Sequence, residues 1–153
     1  MRTNYLFPNQ FKRIGWLILI PSAIFGLVTI MYEYEPSFLD FKVPAIIIDE
    51  PFFTTDENNI LNEIFGVLII ISSLIVAFSK EKTEDEYISK IRLESLVWAV
   101  YCNYGILLFS FLFIFNFSFL WVMIFNMFTL LLFFIIRFNW QLSKFKKSAN
   151  YEE

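Results

Sequence analysis

Few side chains in this sequence can do chemistry, and their types exclude more than they offer. The chain has no histidine and one cysteine, Cys102, which removes His-ligated haem, zinc and copper sites and every Ser-His or Cys-His nucleophile pair. Cys102 lies in an apolar run, where a small buried hydrophobe is a simpler reading than a reactive thiol, and a lone cysteine closes no intrachain disulfide. Asp49, Glu50, Asp56 and Glu57 are hard oxygen ligands of the kind a divalent cation takes, yet no D-x-D-x-D-G spacing accompanies them. They read as a solvated acidic rim. No catalytic residues, metal or cofactor are therefore expected.

A second polar set interrupts otherwise apolar stretches: Ser22, Ser72, Ser73, Asn103, Asn126 and Thr129. At about 1.5 Å per helical residue, Ser22, Ser72, Ser73, Asn103 and Thr129 fall at similar depths, and Asn126 lies one turn from Thr129 on the same face. A shared polar layer follows, serving either as interhelical glue or as the floor of a polar pocket. None of the six is charged. An ion-coupled pump ordinarily uses an intramembrane carboxylate, so that activity is disfavoured.

The stretches that carry these residues define the elements. The chain is 58% hydrophobic and 21% aromatic, with 21 Phe, a composition foreign to soluble domains. Charge-poor runs at about 14–32, 60–79, 96–115 and 117–137 predict an all-α membrane protein, a four-transmembrane-helix bundle in a single domain. The last two runs together are far too long for one span, so they must fold back at the polar break around Asn116 and Ser118. Every Lys and Arg except Lys42 flanks one side of these runs, and the positive-inside rule places both termini in the cytoplasm, as in a bacterial inner membrane. Trp16, Trp98 and Trp140 then sit at the inner interface and Trp121 at the outer one, where amphipathic rings anchor.

The outer connection, 33–59, reads as a short strand-like extracytoplasmic lid. Leu39, Phe41 and Val43 alternate with Asp40 and Lys42, the period of a half-buried strand, and 45–48 adds a second β-branched run after Pro44. Thr54 and Glu57 have capping-box spacing, which predicts that the second helix begins near Thr55.

The inner connection, 80–95, reads KEKTEDEYISKIRLES and predicts a helical entry into the third span. Thr83 and Glu86 form a second capping box, Glu86 and Lys90 an i,i+4 ion pair, and Tyr87, Ile88, Ile91, Ser95 and Trp98 a single face. The opposite face presents Asp85, Glu86, Ser89 and Arg92, either simply solvated or a docking strip for a cytoplasmic partner. The run EDEYISKIRLESLVWAVY at 84–101, leading into an Asn-containing span, resembles a family of small, uncharacterised four-helix bacterial inner-membrane proteins of similar length. Such proteins are commonly encoded beside helix-turn-helix regulators, so the resemblance implies a regulatory role. It implies no activity, ligand or site residue.

Two functional classes remain ahead of a membrane enzyme, for which no convergent catalytic acid-base set can be assembled. One is a non-enzymatic regulatory, sensory or accessory subunit that contacts a cytoplasmic regulatory protein. The other is a homo-oligomeric channel or transporter subunit that binds a small molecule or lipid. The bilayer is a partner in both, and the net charge of -3 argues against nucleic acid.

Overall fold

The computed structural model describes residues 6–45 and 54–149. The elements run α1 (Asn9–Tyr32), a 3-10 turn (Ser37–Leu39), β1 (Asp40–Ala45), β2 (Thr54–Asn59), α2 (Leu61–Ala77), α3 (Glu86–Phe113) and α4 (Phe117–Ala149). Three helices, α1, α3 and α4, are long and apolar enough to cross a membrane, while α2 is apolar but has 17 residues. The chain divides into two compact units, one of Leu17–Ile71 and one of Met1–Trp16 with Ser72–Glu153.

In the first unit, β1 and β2 pair antiparallel with Asp40 opposite Asn59 and Ala45 opposite Thr54. The alternation at 39–43 thus marks a strand. The capping box does not start a helix, because Thr54–Asn59 is taken up by the ladder with β1, and α2 starts only at Leu61. Asn59 makes the transition: its side-chain amide donates to Pro36 O (2.8 Å) and Asp40 Oδ1 (2.7 Å), and its Oδ1 accepts from Leu61 N (3.3 Å). The second apolar run at 46–48, together with Asp49 and Glu50, lies outside the described residues, as do the side chains of Asp56 and Glu57. At Gly26, α1 lies against α2, where an added Cβ would make ordinary contact with Phe65 and Ile69 at 3.4 Å. Phe25 stacks on Phe65 beside that approach, with centroids 6.3 Å apart.

In the second unit, α3 and α4 form a hairpin through 114–116. Asn116 takes φ 60°, a left-handed conformation that asparagine tolerates better than most residues, and its carbonyl accepts from Phe119 N (3.0 Å). At the other end, α3 is capped by Asp85, whose carboxylate accepts from Ile88 N (2.8 Å). The predicted Thr83 cap is displaced by two residues. Helix α4 has 33 residues, about 50 Å at 1.5 Å each, and so continues well past the apolar run ending at 137. The core lies along its second half: Phe134, Ile135, Phe138 and Leu142 are buried on one face, and Val76, Ala77, Ile88 and Ile91 are buried as well. Towards the hairpin turn the pattern reverses, with Phe111, Phe113 and Phe117 exposed. Lipid is as apolar as these rings, so burying them against protein gains little there, whereas in water burial drives packing.

Candidate functional site

Sequence positions far apart converge where α2 ends. The segment preceding α1 lies along the residues that follow α2: Phe7 N donates to Phe78 O (2.9 Å), Lys80 N donates to Phe7 O (2.8 Å), and the Asn9 amide donates to Lys80 O (2.7 Å). This seam holds Lys12 against Glu81, and the two form an ion pair. Lys146, near the end of α4, approaches the other carboxylate oxygen of Glu81 at 3.6 Å. The Glu81 side chain is only 7% exposed, so both lysines compensate a carboxylate that water scarcely reaches.

Next to it, Glu84 closes the turn into α3. Its Oε2 accepts from Glu81 N (2.9 Å), and Arg92 grips both oxygens, Nη1 to Oε1 at 2.6 Å and Nη2 to Oε2 at 3.3 Å. Arg92 Nη2 also donates to Ser79 O (3.2 Å). The Phe138 ring lies against both cations, 5.1 Å from the Arg92 guanidinium and 5.6 Å from Lys12 Nζ, within cation–π reach. Together these contacts form a charged knot with an aromatic floor. A second cationic stack borders it, where Arg137 lies 5.1 Å from both the Trp98 and Trp140 rings and Lys144 lies 4.1 Å from Trp140.

This arrangement removes Arg92 from the expected docking strip. Arg92 is buried and committed to Glu84, Ser79 and Phe138, not displayed on a solvated face. Asp85 is the helix cap. Asp85 and Glu86 are both exposed and Ser89 is half-buried, and the exposed neighbours of Glu86 along the helix are Lys90 and Glu94. On the other face, Ile88, Ile91 and Ser95 are buried, and the Tyr87 ring meets Phe145 at 4.5 Å.

The polar set within the apolar runs converges in part. Asn103 and Asn126 exchange amide hydrogen bonds (3.3 and 3.5 Å), and the Thr129 hydroxyl donates to Asn103 Oδ1 (2.6 Å). Ser72 and Ser73 are fully buried on α2, and Ser22 is buried on α1 within the other unit. Asn103 Oδ1 accepts from both neighbours and Nδ2 donates once, so these side chains tie α3 to α4. Asn103→Leu should therefore cost about 0.6–1.7 kcal/mol, the range of membrane interhelical hydrogen bonds. An unchanged melting temperature in detergent for both Asn103→Leu and Asn126→Leu would exclude that role.

Lys12, Glu81, Glu84 and Lys146 were not singled out by sequence reasoning. The available signal was Glu84 at the head of the 84–101 run, eight residues before Arg92 and opposite to it in charge. Comparison of the chain with protein-family models, curated proteins and solved structures finds no match.

Proposed function

We propose that this is a four-span protein of a bacterial cytoplasmic membrane, with both termini in the cytoplasm, acting without catalysis as a regulatory or accessory subunit through partner contacts. The observation that carries the reading is the charged knot. Lys12 near the start of α1, Glu81 after α2 and Lys146 near the end of α4 meet in one place, as expected if the chain enters and leaves the bilayer on the same side. An even number of spans satisfies that, and α2, at 17 residues, is at the short end of the roughly 17–25 that suffice. The basic residues gathered there favour the cytoplasm for that side. The resemblance to proteins encoded beside helix-turn-helix regulators agrees with a regulatory role.

The partner-facing surface in this reading is the exposed stripe Glu86, Lys90 and Glu94 on the capped start of α3. Its residues are spaced i,i+4 on a helix whose start is tied to the preceding turn by Glu84 and Arg92. Glu86→Gln, Lys90→Gln and Glu94→Gln combined should insert and melt like wild type, because exposed helix charges contribute about 0.5 kcal/mol or less each. The triple variant should nevertheless lose a cytoplasmic protein recovered by mild crosslinking and pull-down from membranes. Recovery of the same protein by wild type and variant would rule out the stripe. Topology is tested separately in a Cys102→Ser background. Labelling of Ser148→Cys but not Thr55→Cys by an impermeant reagent in intact cells would reverse the orientation.

A second reading, an oligomeric channel or transporter subunit, draws on the exposed aromatic faces of α3 and α4 around Phe109, Phe111 and Phe113. Crosslinked self-oligomers accompanied by ion flux in reconstituted vesicles would favour it.

A further inference from the structure

Beside the knot lies an open cleft of about 270 Å³, lined by Lys12, Arg13, Trp16, Glu81, Lys82 and Lys146 among others. We infer that this cleft binds a phosphate-bearing anion, supplied by the headgroup of an anionic phospholipid. Four cations face one carboxylate, and that carboxylate is already engaged by Lys12 and Lys146. Arg13 and Lys82 are exposed and form no ion pair among the described residues. Like charges gathered around an open cleft repel one another and concentrate a counter-anion. Phosphate suits these donors, since the arginine fork can grip two of its oxygens while the lysines act as point charges.

Size and position favour a lipid source. The volume is slightly below the roughly 300–1,000 Å³ of ordinary small-molecule pockets, which fits a headgroup fragment better than a whole metabolite. Lys12, Arg13 and Trp16 occupy the first turns of α1, a helix long and apolar enough to cross a membrane. Basic side chains and an indole at that position on a spanning helix meet the headgroup layer, with the apolar part of the ring toward the acyl chains. The inference rests on the membrane reading of α1 and is independent of the partner stripe on α3.

The test uses the purified full chain in mild detergent, with native mass spectrometry after adding phosphatidylglycerol and phosphatidylcholine at equal concentration. Phosphatidylglycerol should be retained preferentially, and Arg13→Gln with Lys82→Gln should weaken that retention by about tenfold or more, as two headgroup-facing cations would predict. Both positions are exposed, so the double variant should melt like wild type, and Lys90→Gln should keep the preference. Calorimetry with inorganic phosphate separates the sources. If phosphate binds in an Arg13- and Lys82-dependent way while the two lipids are retained equally, the anion site stands and the lipid source is overturned. No phosphate binding with equal retention of both lipids overturns the site, as does an undiminished phosphatidylglycerol preference in the double variant.

Discussion

Replacing Arg92 with glutamine should lower the stability of the detergent-solubilised protein by about 2–3 kcal/mol, and Arg92→Lys should recover only part of that loss. The guanidinium holds both oxygens of Glu84, the carbonyl of Ser79 and the face of Phe138 at once. Removing one member of a buried pair typically costs about 3–5 kcal/mol, because the survivor is left charged and poorly solvated. Glu84 retains 21% of its side-chain exposure, so water recovers some of that cost and the lower figure applies. Lysine restores the charge but not the two-pronged geometry. Adding Glu84→Gln to Arg92→Gln should cost less than the two single changes summed, as expected for groups in direct contact. Should Arg92→Gln melt with wild type, the residue contributes no more than a solvated surface arginine, and the knot is not what fixes the start of α3.

The sequence reads most clearly where the bilayer criterion is crude. A long apolar run is recognisable without knowing what it touches, and the long helices α1, α3 and α4 are found at the predicted runs. The turn at Asn116 is legible for a similar reason, being a polar residue able to adopt positive φ between two such runs. Local signals fare worse when a distant segment competes. Thr54 and Glu57 have the spacing of a helix start, but β1 supplies backbone partners along the whole of Thr54–Asn59, and the ladder prevails over a cap worth about 1 kcal/mol. At α3 two cap-competent residues stand two positions apart, and Asp85 makes the hydrogen bond.

The knot was illegible for a different reason. Lys12, Glu81 and Lys146 come from three remote segments, and no spacing rule pairs them. Arg92 was misplaced because a helical wheel identifies a polar face without knowing what covers it. The covering element is the far end of α4, which continues to Ala149 although its apolar run stops at 137. Composition marks where the apolar run ends, and the helix keeps going, bringing Phe138 against Arg92 and Phe145 against Tyr87. The 84–101 run thereby acquires physical duties. Glu84 and Arg92 pair, Asp85 caps, and Ile88, Ile91 and Ser95 are buried.

Phe138→Ala should be the most damaging single change, at about 3–5 kcal/mol, the usual cost of emptying a packed aromatic site. The ring is 1% exposed and stacks at 5.8 Å on Phe134, which in turn stacks at 5.7 Å on Phe78. Its loss removes apolar burial and also the surface against which Arg92 and Lys12 lie. Phe138→Leu should be milder, since it restores volume but not the ring face. The informative control is Phe113→Ala near the hairpin turn, where the ring is 65% exposed. If that ring faces lipid or detergent, its removal forfeits little beyond the contact with the exposed Phe109 ring 4.6 Å away, and the change should stay within about 0.5 kcal/mol. Thermal melts in one detergent compare the three directly. Equal losses from Phe138→Ala and Phe113→Ala would mean that packing is spread along α4, and the view of a protein held together chiefly at its charged end would fail.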